Sequence, residues 1–438
     1  MKNRVMIKDL NSHIGKEVET AGFARAIRDQ GNVKFLMVSD ISGEVQAVVL
    51  KNHKEAYELF KKITLESVIS VKGLVKSEKQ APGGMEIEAK NIEILSLAEP
   101  ELPIPVYEKG EGETSLDKRL DWRFLDLRKS KNALIIKIWT LLEAGFRNYW
   151  TDNNYLEIHS PKFMASASES GADVFEVKYF NRKAYLAQSP QFYKQMAMAA
   201  GLERVFEVGP VFRAEPSFTS RHATEFIGFD AEISYINSYQ DVIKELEETI
   251  HRSIVAITKT YALDIKKHFN RELPVPKLPF PQLSMKEAKK ILAKLKVPNE
   301  RDGDLSPEEE RQICEYVKEK YHHEFVFITD YPVSVRPFYH MRHKDDQKLT
   351  CSFDLLWNGV EITTGAQREH RYEVLVKQAQ EKGLDLKGIK FYLDFFKYGC
   401  PAHGGYGLGP ARMIIKIFNL ENVREATYLY RGVKRLEP

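Results

Sequence analysis

Cysteine is scarce in this chain, with three in 438 residues and no CxxC pair among Cys314, Cys351 and Cys400. Their dispersal argues against a structural zinc and against a disulfide framework, and fits a reducing, cytoplasmic setting. Long apolar runs are missing as well. Nowhere do roughly eighteen apolar residues follow one another, and the opening "MKNRVMIKDLNSHIGKEVET" has no apolar core of signal-peptide length, so neither a membrane span nor a secretory leader is expected. Charge of one sign is equally thin. Lys plus Arg total 65 against 62 for Asp plus Glu, a formal charge of +3, so any basic surface for nucleic acid must be local. No Walker sequence or GxGxxG fingerprint occurs, which excludes the common P-loop and Rossmann nucleotide sites.

What is present is patterned. Between residues 16 and 97, alternating segments such as "VKFLMVSD", "EVQAVVL" and "SVISVKGLV" read as five short strands. A helical segment, "HKEAYELFKKI", falls between the third and fourth. That order is the order of an OB-fold, and a small β-barrel used for protein contacts is the competing reading. Residues 1–102 are therefore expected to form a barrel, and the proline-containing stretch at 103–130 a hinge.

Residues 131–438 begin with "NALIIKIWTLLEAGFRNYW", which places Ile135, Ile138, Leu142 and Phe146 on one helical face. The remainder lacks a βαβα rhythm, which predicts a largely antiparallel α+β domain. Two charged helices near 264–331 open with capping boxes, Ser284 with Glu287 and Ser306 with Glu309, and read as an insertion.

Three clusters carry chemistry. "FRAEPSFTSRHATEFIGFDAEIS" supplies Arg213, Glu215, Arg221 and His222 around an expected hairpin, with Arg213 and Glu215 sharing a strand face. Arginine forks suit phosphate. "FDLLWNGVEITTGAQREHR" sets Asp354 and Glu361 near Arg368, a carboxylate pair suited to Mg²⁺ beside phosphate. "HGGYGLGPARM" places glycines before Arg412, where the backbone could approach a flat ligand.

In this order the clusters resemble motifs 2 and 3 of the class II aminoacyl-tRNA synthetases, and "NYLEIHSPKFM" with Pro161 resembles motif 1, their dimer element. With an OB-fold ahead of them, they resemble the subclass charging aspartate, asparagine and lysine, and within it the archaeal and eukaryotic branch that charges aspartate. The resemblance implies ATP, L-aspartate and tRNA(Asp) as substrates, Mg²⁺ as cofactor and a homodimer. It assigns Arg213 to the α-phosphate, Glu215 and Phe226 to adenine with Arg412 on its other side, Arg221 and His222 to the outer phosphates, and Asp354 and Glu361 to the metal. Lys194 and Arg368 would bind the aspartate side chain, Asp230 its ammonium, Ser189 and Gln191 would shape the pocket, and Glu169 would cover it. In the barrel, Phe35 would stack an anticodon base, Gln46 and Glu86 would read base edges, and Arg28 would meet RNA.

Two departures from the family pattern stand out. Ala411 replaces the acidic residue usual before Arg412, and the chain ends "YLYRGVKRLEP", keeping Arg431 but not the usual terminal run. Pro82, in the loop before Glu86, leaves open whether tRNA(Asn) is charged too. The rival readings are an asparagine-charging enzyme and a catalytically inactive RNA-binding or regulatory paralogue.

Overall fold

The computed structural model describes residues 4–107, 114–165, 174–216 and 219–438. They form two compact units, Met1–Lys129 and Ser130–Pro438.

In the first unit, β1 (Glu17–Gln30), β2 (Val33–Asp40), β3 (Gly43–Leu50), β4 (Val68–Ser77) and β5 (Met85–Ser96) close into a barrel in the order β1-β2-β3-β5-β4. Alternation in the sequence becomes an inside and an outside: Leu36 and Val38 are fully buried while Phe35 and Met37 are only partly covered. The helix α1 (Lys54–Phe60) packs Ala56 and Phe60 into the barrel core. Two glycines permit strands to cross closely, since a Cβ at Gly22 would meet Ser39 O at 2.2 Å and one at Gly73 would meet Glu88 O at 2.1 Å.

The expected hinge at 103–130 is partly helical instead. Leu116–Asp121 (α2) and Arg123–Asp126 (α3) bury Asp126 against Arg119 Nε at 3.0 Å and Arg123 Nη1 at 2.7 Å. Glu66 then ties this segment to the barrel, taking Arg25 at 2.5 Å and Arg128 at 3.1 Å. Prolines mark only the start of the stretch, and good helix formers follow.

The second unit is built on an eight-stranded sheet in the order β12-β13-β14-β15-β16-β11-β10-β6. Its strands are β6 (Leu156–Glu157), β10 (Arg204–Phe212), β11 (Glu225–Ser234), β12 (Gln282–Ser284), β13 (Phe325–Thr329), β14 (Ser352–Trp357), β15 (Val360–Gln367) and β16 (His403–Leu408). All neighbours are antiparallel except the two end pairs, β6 with β10 and β12 with β13. A separate small sheet joins β7 (Phe163–Met164), β8 (Glu176–Tyr179) and β9 (Arg182–Leu186).

The long helices α4 (Ser130–Asp152) and α6 (Tyr239–Phe269) share the main core with this sheet. Ile135, Ile138, Leu142 and Phe146 of α4 are buried, as the helical pattern predicts, alongside Leu246, Ile250, Ile254 and Ile257 of α6. Burial of each such side chain contributes about 1.5–3 kcal/mol. Gly145 lets the helices approach, because a Cβ there would meet Ser253 Oγ at 2.6 Å.

The stretch near 264–331, read from sequence as an insertion, contributes to the main sheet and its core. Residue 264 lies inside α6, and β12 and β13 from this stretch end the main sheet. Between them lie α7 (Met285–Lys294) and α8 (Pro307–Tyr321), both opened by the capping boxes read from sequence. They pack Leu292, Ile313 and Val317 against Val326, Ile328 and Leu356 of the sheet. A charged outer face hid this inner one. The remaining helices that matter to the site are α5 (Gln191–Ala199), α9 (Tyr372–Glu381), α10 (Lys390–Asp394) and α11 (Pro410–Phe418). No helix among the described residues is long and apolar enough to cross a membrane.

Candidate active site

A cleft of ≈ 400 Å³ opens over β10, β11, β15 and β16, and residues from all three sequence clusters line it. Arg213, Glu215, Arg221, His222 and Phe226 come from the β10–β11 hairpin, Glu361 and Arg368 from β15 and its end, and Arg412 from α11.

The ladder of the hairpin ends at Phe212 paired with Glu225, followed by one more bond from Arg213 N to Thr224 O at 2.9 Å. Arg213 and Glu215 thus sit in the loop beyond the strand, not on a shared strand face as expected. The run towards Pro216 cannot continue the pairing. Arg213 lies over the Phe226 ring at 5.6 Å, and its buried Nε has no hydrogen-bond partner among the described residues. Arg221 pairs with Glu310 at 2.7 Å and donates to Gly359 O at 3.1 Å. Burial, then the charge of Arg412, holds the His222 imidazole below its usual range, so it faces the cleft neutral near pH 7.

Asp354 and Glu361 meet on β14 and β15 across a bulge between Leu355 and Leu356. Glu361 lines the cleft; Asp354 is buried and does not. Arg336 Nη2 donates to Asp354 Oδ2 at 2.6 Å, while Asp354 Oδ1 is buried with no hydrogen-bond partner among the described residues. Arg412 Nη1 donates to Glu361 O at 2.7 Å and Oε1 at 3.3 Å. Burial first, and then the charge of Asp354, push the Glu361 carboxyl above its ordinary range. A partnerless carboxylate oxygen beside a second, repelled carboxylate suits a divalent cation. Mg²⁺ commonly takes one or two carboxylates and completes its shell with phosphate and water, which is the donor set two carboxylates beside arginines offer.

Beside the cleft, which Asp230 and Arg368 line, two cations and two carboxylates form a buried network. Lys194 Nζ donates to Asp230 Oδ1 at 2.9 Å and Tyr406 O at 2.9 Å, and lies 3.4 Å from Glu232 Oε2. Arg368 Nε donates to Glu232 Oε1 at 2.9 Å. Burial raises the Asp230 carboxyl. Burial also opposes ionisation of Glu232, but Arg368 and Lys194 outweigh it and hold that group below its usual range. Ser189, Gln191, Asp230 and Arg368 line the cleft; Lys194 does not, and is connected to it through Asp230. Glu169 lies outside the described residues.

Of the glycines before Arg412, Gly407 and Gly409 line the cleft, whereas a Cβ at Gly405 would sit 2.2 Å from Glu232 Oε2, so Gly405 makes room for the buried carboxylate. Ala411, in the first turn of α11, is buried and lines the cleft.

Sequence reasoning missed Arg336, Tyr339, His340 and Glu310. The first three lie in "VRPFYHM", which lines the cleft. Glu310, on α8, is pushed up to about 7 by burial and then by the charge of Glu361. No motif surrounds these residues. The only signal is a polar pair, Arg336 and His340, in an aromatic, proline-bounded run.

On the barrel, register places Arg28 opposite Phe35 and Gln46 opposite Glu86. Arg28 lies 5.9 Å from the Phe35 ring centroid, and Gln46 Nε2 donates to Glu86 Oε2 at 3.1 Å. Phe35 and Met37 share one face of β2, and Met37 pairs with Gln46, so the four expected RNA-contacting residues fall on one face of the barrel sheet, where Arg28 is exposed, Phe35 and Glu86 are partly covered and Gln46 is buried. Pro82 is exposed in the turn before β5.

Comparison with known proteins agrees with this division of the chain. Residues 115–431 match the family described as tRNA synthetases class II (D, K and N), and residues 18–95 match the OB-fold nucleic acid binding domain. The aspartate–tRNA(Asp/Asn) ligase of Methanopyrus kandleri is 43% identical, with 97% of this chain and 96% of that protein covered. The aspartate–tRNA(Asp) ligase of Pyrococcus furiosus is 39% identical, with 97% of each covered. Among solved structures, the asparaginyl-tRNA synthetase of Pyrococcus horikoshii complexed with asparaginyl-adenylate superposes with a TM-score of 0.91 at 32% identity, covering all of both chains.

Proposed function

Since the chain belongs to the class II tRNA synthetases of the D, K and N group, we propose that its cleft joins aspartate to ATP at one end and delivers it to tRNA. The activity is aspartate–tRNA ligation: aspartate and ATP give aspartyl-adenylate and pyrophosphate, and the aspartyl group passes to the terminal hydroxyl of tRNA(Asp). One observation supports the residue assignment above all. Arg368 and Asp230 line the same cleft as Arg213, Arg221 and Arg412, and buried Lys194 is bonded to Asp230 behind it.

The chemistry asks little acid or base of the protein. The α-carboxylate of aspartate is already a nucleophile, and the work is alignment plus neutralisation of charge in an in-line displacement at the α-phosphorus. Arg213 would hold the α-phosphate, Phe226 and Arg412 would enclose adenine with Glu215 at its edge, and Arg221 with His222 would meet the leaving pyrophosphate. Asp354 and Glu361 would hold Mg²⁺, which supplies positive charge to the phosphates when bound. Asp230 would receive the substrate ammonium. Replacing the side-chain carboxylate by an amide leaves the Lys194–Arg368 end short of an anion, a loss that can reach about 10⁴ to 10⁵ in specificity.

Leu156 and Phe163, 51% and 56% exposed in the segment resembling motif 1, support a homodimer formed through that face. A second reading adds tRNA(Asn) as acceptor, favoured by the double name of the Methanopyrus relative. Aspartate-dependent exchange of pyrophosphate into ATP tests the activation step, with asparagine as the control that must fail.

A further inference from the structure

Arg368 is held on more sides than an ion pair requires. Glu232 takes Nε at 2.9 Å and Nη2 at 3.4 Å, Gly405 O takes Nη2 at 3.0 Å, and the ring nitrogen Nε2 of His340 lies 3.0 Å from Nη1. A guanidinium has five N–H donors and no acceptor. The bond to His340 therefore exists only when Nε2 carries a lone pair, which fixes the ring as the neutral tautomer protonated on Nδ1. One N–H, on Nη1, is left for a substrate.

The surroundings of His340 keep the ring neutral, as that bond requires. The ring is buried, and its Nδ1 has no hydrogen-bond partner among the described residues. The charges that act on it are cations from each neighbouring element: Arg368 at the end of β15, Arg336 on its own loop, Lys194 on α5 and Lys382 after α9. After burial itself, they hold the imidazole well below its usual range. The backbone is pinned as well, with a bridge between His340 and Arg368 and with Gln378 Nε2 donating to His340 O at 3.1 Å.

We propose that His340 is the positioning residue for aspartate recognition: its Nε2 lone pair locks the Arg368 guanidinium so that the remaining Nη1–H meets the substrate's side-chain carboxylate. The inference rests on the reading of Arg368 as the partner of that carboxylate. A guanidinium held by Glu232 on one edge alone could pivot about that edge and accommodate an amide oxygen. Fixed on three sides, it presents one donor in one direction, which rewards a carboxylate oxygen and leaves an amide NH₂ facing N–H.

Two variants and a control test this, by pyrophosphate exchange with the full chain at several aspartate, asparagine and ATP concentrations. His340→Leu removes the acceptor, whereas His340→Gln keeps an oxygen at about the reach of Nε2. The expected result for His340→Leu is a rise of about tenfold or more in KM for aspartate, as for loss of one charge-assisted bond. KM for ATP stays within about twofold, the preference for aspartate over asparagine narrows, and His340→Gln restores most of the loss. An unchanged KM for aspartate in His340→Leu overturns the proposal, and so does an equal rise for both substrates without rescue by glutamine. Arg368→Lys separates the role of Arg368 from that of His340. If it leaves KM for aspartate untouched, the reading of Arg368 itself fails; if it raises KM while His340→Leu does not, only the role of His340 fails.

Discussion

Glu232 and Arg368 face each other in a buried two-point pair, with Nε 2.9 Å from Oε1 and Nη2 3.4 Å from Oε2. Both residues are almost without solvent exposure, so neither charge has water to replace its partner. Substituting Glu232→Leu leaves Arg368 without a carboxylate partner, while Lys194 keeps Asp230 at 2.9 Å, and breaking such a buried pair costs about 3–5 kcal/mol. Urea unfolding is expected to show a markedly lower midpoint for the catalytic unit.

Lys194 acts at one remove, since it is bonded to Asp230 and does not line the cleft in this structure. Lys194→Met keeps the length of the side chain and removes its charge. The rate constant kcat/KM for aspartate in pyrophosphate exchange is expected to fall by about 10- to 100-fold or more, the scale of a charge-assisted bond. ATP binding, measured by equilibrium titration, stays near that of the parent chain.

His403 provides a pH signature. Burial holds its imidazole down to about 4, with Nδ1 against Pro401 O at 2.9 Å and Nε2 against Gln195 Nε2 at 3.1 Å. The unfolded chain binds this proton near pH 6.5 and the folded chain does not, so this contribution to stability is full above about 6.5 and is lost as pH falls toward 4. Thermal midpoints at pH 7 and 4.5 are expected to differ less in His403→Gln than in the parent chain.

The barrel surface separates RNA binding from activation. Phe35→Ala removes a stacking platform worth about 1–3 kcal/mol per base. Affinity for tRNA, measured by filter binding, should fall by about 10- to 100-fold, while exchange of pyrophosphate without tRNA is unchanged.

Local pattern carried much of this into the sequence. The barrel was legible because each strand alternates, and the faces of α4 and the caps of α7 and α8 were legible because helix periodicity and capping are local. The fate of residues 264–331 was not, because whether β12 and β13 join the main sheet depends on pairing with β14, far along the chain. In the site, residues in short motifs were found and residues that reach it through folding were not. His340 and Arg368 lie 28 positions apart, and only the bridge between their backbones brings them together. The edge of the β10 strand was misjudged for a related reason, since pairing stops where Arg213 turns into the loop rather than where the apolar pattern fades.

The most direct test is aminoacylation with purified protein, ATP, Mg²⁺ and labelled aspartate or asparagine, on separate transcripts carrying the aspartate and asparagine anticodons. Aspartate is expected on the tRNA(Asp) transcript and asparagine on neither; attachment of aspartate to both transcripts would add the second acceptor. Charging with asparagine, or binding of both transcripts with no charging at all, would contradict the proposed activity.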